Sequence, residues 1–258
     1  MNGLVACLAH LAVSGLQITL VLPTYNEAEN LPKLVSALLS LPLPNLSLLV
    51  ADDNSPDGTG QLADQLAQTH PDRVSVLHRP GKEGLGRAYL HGFQVALERG
   101  ADVVWQMDSD FSHPPEKIPE MSAAIATSDL VMGSRYVPGG SVDVNWPFWR
   151  KGLSAFGNFY ARTILGIPAR DVTGGFRLHR RETLQGMPLD RIRSNGYIFQ
   201  VEMAFLSYLC VFQPVEIPIY FADRKWGTSK MSLRIQLEAA VRVWQVKMAY
   251  RDLASQKR

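Results

Sequence analysis

Ala101-Asp102-Val103-Val104-Trp105-Gln106-Met107-Asp108-Ser109-Asp110 runs from an apolar strand into two carboxylates one residue apart. At the end of a buried strand, both carboxylates can turn toward a divalent cation and the diphosphate it neutralises. An acidic pair alone is commonplace in solvated loops, so the flanking sequence has to decide. It does so by repeating the arrangement upstream. Gln17 to Leu22 stops at Pro23-Thr24-Tyr25-Asn26-Glu27, and Leu46 to Ala51 stops at Asp52-Asp53-Asn54-Ser55-Pro56-Asp57-Gly58. In an open α/β sheet, ligands collect beyond the carboxyl ends of parallel strands, so the three clusters are expected around one nucleotide-type pocket.

Outward from these runs, strand and helix patterns alternate as far as Gly133. Strands are expected over Gln17 to Leu22, Leu46 to Ala51, Val74 to Leu77, Asp102 to Met107 and Leu130 to Gly133. Helices are expected over Ala28 to Leu39, Thr59 to Thr69, Gly84 to Arg99 and Pro115 to Thr127. This order implies βαβ units and a mostly parallel sheet in an α/β fold. Gly84-Leu85-Gly86 is too short for a phosphate cradle and reads as a tight turn before a helix. After Gly133 the character changes to a loop, an amphipathic helix from Trp146 to Leu165, a glycine turn at Gly174-Gly175 and a helix opened by Gly196. No Pro/Gly/Ser linker separates this half from the first, so it reads as an elaboration of the same domain. The expected organisation is an unassigned extension over residues 1–16, one α/β domain over 17–231, and a C-terminal amphipathic helix and tail over 232–258.

Composition narrows the function classes. The chain has 258 residues, enough for a sizeable core, and a formal net charge of +2. That balance argues against a nucleic-acid partner. The two cysteines, Cys7 and Cys210, lie far apart without metal-ligand spacing, which fits a reducing compartment. The apolar run Leu4 to Leu16 is broken by His10, Ser14 and Gly15 and has no basic leader, so it reads as neither signal peptide nor membrane anchor.

The motifs Pro23-Thr24-Tyr25-Asn26-Glu27, Asp52 to Thr59, Gly84-Leu85-Gly86, Asp108-Ser109-Asp110, Gly133-Ser134-Arg135-Tyr136 and Arg224-Lys225-Trp226-Gly227-Thr228-Ser229-Lys230 occur in one order. Over about residues 17 to 250 the chain resembles family 2 glycosyltransferases of the GT-A fold. Within that family it is similar to dolichol-phosphate, or polyprenol-phosphate, mannosyltransferases. The resemblance implies transfer of mannose from GDP-mannose to a polyprenyl (dolichyl) phosphate with inversion. It also implies a Mg2+ or Mn2+ cofactor, peripheral contact with the cytoplasmic face of a membrane, and a separate membrane subunit as a further partner. The alternatives are a transferase using UDP-glucose or a UDP-amino sugar, and a nucleotide-binding module without transfer activity.

Carried over residue by residue, the resemblance places Pro23, Tyr25 and Glu27 against the nucleotide sugar. Ala51 and Asp53 make the second nucleotide contact, with Asp53 at the base or ribose, while Asp52 braces its loop. Asp108 and Asp110 are the expected metal ligands, because hard cations take carboxylate and phosphate oxygens. Ser109 meets the donor through its backbone. Ser112 stands where some relatives carry a metal-contacting glutamine. Arg135, Arg224 and Lys230 match positions that contact phosphate groups, and with Asp110 they form the expected catalytic set. Lys225 reads as a solvated charge, and Arg177 as a second-rank acceptor contact. An anionic phosphate acceptor needs no strong base, so His113 reads as a loop residue outside that set. Gln200 and Glu202 either orient the sugar or simply start a helix.

Two aromatic-rich stretches remain. Trp146, Phe148, Trp149, Phe156, Phe159 and Tyr160 read as core, with contact to a lipid chain as the alternative. In Ser232 to Tyr250, the face Leu233, Leu237, Ala240, Val241, Trp244 and Met248 is expected opposite Arg234, Glu238 and Arg242. Such a helix either packs on the domain or meets the bilayer that holds the acceptor.

Overall fold

All five expected strands form, and their alternation feeds two cores at once. In a computed structural model describing residues 15–212, 214–223 and 233–256, they are β1 (Ile18–Thr24), β2 (Leu46–Asp52), β3 (Val74–His78), β4 (Val103–Gln106) and β5 (Leu130–Ser134). Ile18, Leu20 and Leu22 point into one core with Leu46, Leu48, Val50 and Trp105, while Val21, Leu49, Ala51 and Val104 point into the other. A sheet buried on both faces needs apolar residues at successive positions, which is why these strands read as continuous hydrophobic runs.

Helices close both faces. On one side, α1 (Leu31–Leu39) contributes Leu31, Leu34, Val35 and Leu38, the spacing of a single helical stripe. It starts three residues later than expected because Glu27 to Asn30 first make a turn, in which Glu27 C=O accepts from the Asn30 and Leu31 amides. α2 (Thr59–Thr69) follows β2. On the opposite face, α3 (Leu85–Glu98) buries Tyr89, Phe93 and Ala96. Gly92 lets it approach the sheet, since a Cβ there would lie 2.4 Å from Val21 Cγ1. α4 (Ile118–Ile125) follows a short 3-10 turn over Pro115–Lys117.

The second half adds elements that the periodicity does not reveal. β6 (Ser141–Val142) and β9 (Tyr220–Phe221) form a small separate sheet. β7 (Arg177–Arg180) enters the main sheet antiparallel, between β4 and β5, and β8 (Pro214–Pro218) pairs parallel to β5. The seven-stranded order is β3-β2-β1-β4-β7-β5-β8, parallel except for β7. Helices α5 (Phe148–Leu165), α6 (Arg181–Gly186), α7 (Gly196–Leu209), α8 (Leu233–Ala249) and α9 (Arg251–Gln256) complete the chain. Among the described residues no helix is long and apolar enough to cross a membrane.

One expectation is corrected, and of the two readings left open for α8, packing of its apolar face on the domain does not hold for Val241, Trp244 and Met248. Phe148, Trp149, Phe156 and Phe159 are exposed rather than core; α5 buries Asn158, Ala161 and Leu165 instead. On α8 the buried line is Val243 and Val246, continued by Tyr250, which leaves Val241, Trp244 and Met248 on the solvent side. The side chains of Leu233, Arg234, Leu237 and Glu238 lie outside the described residues. A hydrophobic stripe has one geometric meaning and two destinations, and tertiary packing chose the other stripe.

Candidate active site

Strand order reverses direction between β1 and β4, with α1 on one face and α3 on the other, so a crevice opens beyond their carboxyl ends. Ser109 Oγ spans it, donating to Pro23 C=O at 2.9 Å. This bond brings the acidic pair after β4 beside the Pro23 motif after β1.

On the β1–β2 side, Asp52 is a brace, as its sequence position suggests. Its carboxylate accepts from Thr24 Oγ1 at 2.9 Å, Ser55 N at 3.0 Å and Ser55 Oγ at 2.6 Å. Asp57 extends the brace to the backbone of Ala28 and Thr59. Partial burial acts to raise the Asp57 carboxyl, but the Thr59 hydroxyl and these backbone amides, all donating to the charged form, together outweigh it and hold the group below its usual range. Glu27 N donates to Thr59 Oγ1 at 2.9 Å, and Glu27 Oε2 accepts from Asn30 Nδ2. Ala51 is fully buried between β1 and β3 and offers no side-chain surface to a ligand. Asp53 stands past the strand end, paired with the buried Arg79 and accepting from Gly84 N at 3.1 Å. Arg79 also pairs with Glu83. Lys82 Nζ lies 3.7 Å from the ring centroid of Tyr25, so a cation covers the face of the half-buried tyrosine.

Gly84 has φ 97°, and Asn195 crowds its missing Cβ. Asn195 Oδ1 accepts from Gly86 N at 2.8 Å, while its Nδ2 donates to Glu83 C=O. The short glycine motif is therefore a turn, locked to the start of α7 rather than wrapped around a phosphate.

The acidic pair is held from three directions. Tyr89 on α3 donates its hydroxyl to Asp108 Oδ1 at 3.0 Å. Burial, and then the Asp108 charge, raise this phenol well above its usual pKa and keep it a donor. Asp108 N donates to His113 Nδ1 at 3.1 Å, which requires a lone pair there and so a neutral imidazole protonated on Nε2. Burial depresses the His113 pKa in the same sense, against the pull of Asp108 and Asp110. The ring stacks on Phe176 at 5.1 Å and meets the Phe221 edge at 5.4 Å. Asp110 is buried and accepts from Ser112 N at 3.0 Å and from Ser112 Oγ. Its neighbour Phe111 takes φ 61°, a left-handed kink that folds Ser112 back onto the carboxylate. The donors gathered here are oxygens, with the nearest imidazole nitrogen already engaged. That set suits Mg2+ or Mn2+, which bind through one or two carboxylates plus substrate oxygens. No group of three His, Cys, Asp or Glu side chains placed to hold a metal ion by themselves occurs among the described residues.

Arg135 follows β5, and its charge is already matched. Nε donates to Asp171 Oδ2 at 2.7 Å, and Nη2 to Asp171 Oδ1 at 2.8 Å and Thr173 Oγ1 at 2.7 Å. Burial works against the cation, but Asp171 outweighs it and the guanidinium pKa rises. For Asp171 burial likewise opposes the charge, and Arg135 still draws the carboxyl below its usual value. Nη1 makes no hydrogen bond among the described residues, leaving one edge of the fork for an anion. Arg177, by contrast, is fully buried on β7, its Nε and Nη2 donating to the Gly174 and Val172 carbonyls while Nη1 is buried without a partner among the described residues. It supports the Asp171 loop and is not open to an acceptor.

Gln200 is buried and accepts from Gln106 at 2.7 Å, and Gln106 also meets His179. Burial, reinforced by Arg177, lowers His179 to about 3 and keeps it neutral. Glu202 binds Ser194 N and the Tyr250 hydroxyl, tying α7 to the end of α8. Arg224, Lys225 and Lys230 lie outside the described residues. Tyr89, Arg79, Asp171 and Asn195 escape sequence reasoning, since each acts on a partner distant in the chain.

Comparison with known proteins identifies relatives of the chain and of its fold. An undecaprenyl-phosphate mannosyltransferase of Micrococcus luteus is 48% identical over 228 residues, 88% of this chain and 93% of that protein. A polyprenol monophosphomannose synthase of Mycolicibacterium smegmatis is 48% identical over 213 residues, 82% of this chain and 80% of that protein. Among solved structures, the glucosyl-3-phosphoglycerate synthase of Mycobacterium tuberculosis in complex with Mn2+, UDP and glucosyl-3-phosphoglycerate aligns with a TM-score of 0.63. That match covers 92% of this chain and 81% of the synthase at 18% identity, a likeness of fold. Residues 19–187 match Glycosyl transferase family 2. This chain belongs to that family of glycosyltransferases.

Proposed function

We propose that this protein transfers mannose from GDP-mannose to a polyprenyl phosphate at the cytoplasmic face of a membrane, inverting the anomeric carbon. The observation that carries this reading is the 48% identity, over most of both chains, to two proteins named for mannose transfer to polyprenyl phosphates. The crevice supports it with a role for each side. Tyr25 and Asp53 receive the nucleoside, with Pro23 and Glu27 shaping the strand end behind them. Asp108 and Asp110 are the residues that would hold Mg2+ or Mn2+, with Ser109 fixing the loop. When bound, the cation supplies charge neutralisation of the leaving nucleoside diphosphate. Arg135 offers its remaining guanidinium edge to a phosphate oxygen, and Arg224 and Lys230 add cations for the same anions. The acceptor arrives ionised, so positioning and charge stabilisation suffice. His113 cannot act as a base through Nδ1 because that lone pair holds Asp108 N.

Incubation with GDP-mannose, UDP-glucose and a UDP-amino sugar, each with a short-chain polyprenyl phosphate, tests the donor and the activity together. Mannosyl product from GDP-mannose alone is expected, with a β linkage read from its NMR anomeric coupling. A glucosyl product would overturn the donor assignment. An α-linked product would overturn single displacement, since an activated covalent nucleophile would then be required.

Tyr89 supplies a further test. Tyr89→Phe keeps the ring stacked on Phe199 and removes only the hydrogen bond to Asp108. Mn2+ affinity in the presence of GDP, followed by calorimetry, is expected to fall by about tenfold or more, as for other partners that orient a metal-binding group. Unchanged affinity would show that Asp108 needs no such support.

A further inference from the structure

Tyr25 stands half-buried past the end of β1, and Lys82 Nζ sits over its ring, 3.7 Å from the centroid. A stacked base would lie at a similar height, since non-bonded carbon atoms meet at roughly 3.5 to 4.0 Å. The ammonium therefore holds the position that a base resting on Tyr25 must take.

The backbone that carries Lys82 is fixed on both sides. Arg79 N donates to Asp52 C=O at 2.9 Å, and the buried Arg79 side chain pairs with Asp53. Beyond Lys82, Gly84 N donates to Asp53 Oδ2 at 3.1 Å, and Glu83 C=O accepts from Asn195 Nδ2 at 2.6 Å. Both Asp53 oxygens are thus engaged, one by Arg79 and one by the Gly84 amide, and the Glu83 carboxylate is drawn to Arg79 as well. Lys82 is different. Its side chain is exposed, and Tyr25 is its partner among the described residues. A flexible four-carbon stem on an anchored backbone can leave the ring face and still reach the edge of whatever replaces it.

The chemistry of that edge identifies the base. A lysine ammonium has three donors and no acceptor. Guanine presents two neighbouring acceptors, O6 and N7, whereas adenine sets an amino group beside N7 and cytosine carries an amino group where uracil has an oxo oxygen. An amino hydrogen offers an ammonium nothing, so this side chain favours an oxo edge. Between the oxo bases, guanine has the second acceptor and the larger ring to lie on Tyr25.

We propose that Lys82 selects the base of the donor nucleotide, leaving the face of Tyr25 when guanine stacks there and donating to its O6 and N7 edge. The proposal rests on the GDP-mannose reading above and deepens it, because metal and phosphate contacts are common to every nucleoside diphosphate and cannot choose among bases. A base without that edge has to displace the ammonium from Tyr25 with no bond in return, which adds to the discrimination.

Calorimetric titration of the full chain with GDP, inosine diphosphate, ADP and UDP, each with Mn2+, reads this selectivity without catalysis. The unmodified chain is expected to bind GDP and inosine diphosphate, which share O6 and N7, about tenfold or more tighter than ADP. Lys82→Met keeps an unbranched stem and removes the donors. It is expected to lose about tenfold in affinity for GDP and inosine diphosphate and little for ADP, so that the ratio collapses, while Lys82→Arg restores it. An equal loss for all four nucleotides would make Lys82 a charge for the diphosphate and overturn the proposal. So would a GDP preference that survives in Lys82→Met, with GDP-mannose still the donor. UDP bound more tightly than GDP by the unmodified chain would sink the GDP-mannose reading and the guanine assignment with it. A guanine preference that collapses in Lys82→Met, in a chain that transfers no sugar, would overturn the catalytic reading alone and leave base selection standing.

Discussion

Asp110→Asn is expected to reduce transfer from GDP-mannose by roughly a thousandfold, equivalent to about 4 kcal/mol of transition-state stabilisation, while the fold survives. Asparagine keeps the size of the buried side chain and an acceptor for the Ser112 amide, so the kinked loop retains its bond. What disappears is the negative charge that a hard cation requires. Asp110→Ala removes the charge too but strands two Ser112 donors, costing about 1 to 3 kcal/mol of stability as well. The pair of variants thus separates chemistry from folding: kinetics should fall in both, the denaturation midpoint mainly in the second. Metal-dependent turnover near the wild-type level in Asp110→Asn would remove this residue from the site.

The largest stability effect is expected at Asp171. Asp171→Asn leaves Arg135 buried without a counter-charge, and breaking such a pair costs about 3 to 5 kcal/mol. Removing both charges in Arg135→Met with Asp171→Asn should recover much of that loss, because the penalty belongs to the orphaned cation. Urea denaturation of the four proteins completes the cycle. Its pH dependence has a definite sign. The folded Asp171 carboxyl lies below its unfolded value of about 3.9, so the contribution is full above that pH and is lost as pH falls through the folded pKa. The gap between wild type and Asp171→Asn should accordingly narrow in acid. A single variant within about 0.5 kcal/mol of wild type would show that the pair contributes nothing measurable.

The parallel half of the fold was legible because apolar runs, strand ends and polar helix starts coincide there. Carboxylates at strand ends were legible for the same reason: topology sends Asp53, Asp108 and Asp110 to one edge before any side chain is placed. β7 was not legible, since Arg177-Leu178-His179-Arg180 reads as solvated loop until the carbonyls that absorb Arg177 are known. Similarly, the partner that neutralises Arg135 lies 36 residues away, and nothing near it in sequence announces the pairing. On α5 the periodicity was correct and its destination was wrong, because spacing records that a stripe exists and is silent about which side meets the core.

The position of β7 also bears on how the chain is assembled during synthesis. By the time Gln106 has emerged, the four strands β3-β2-β1-β4 can form a complete parallel unit. β5 emerges next with no partner, since its neighbours β7 and β8 are both still to be made. Until Arg177 to Arg180 arrive, the nascent chain carries two open ladders, on β4 and β5, of the kind that invites mispairing with other chains. The late strand closes both at once. Any division of this protein into interchangeable halves therefore has its natural seam at β4, with β5 left on the far side together with the strands that receive it.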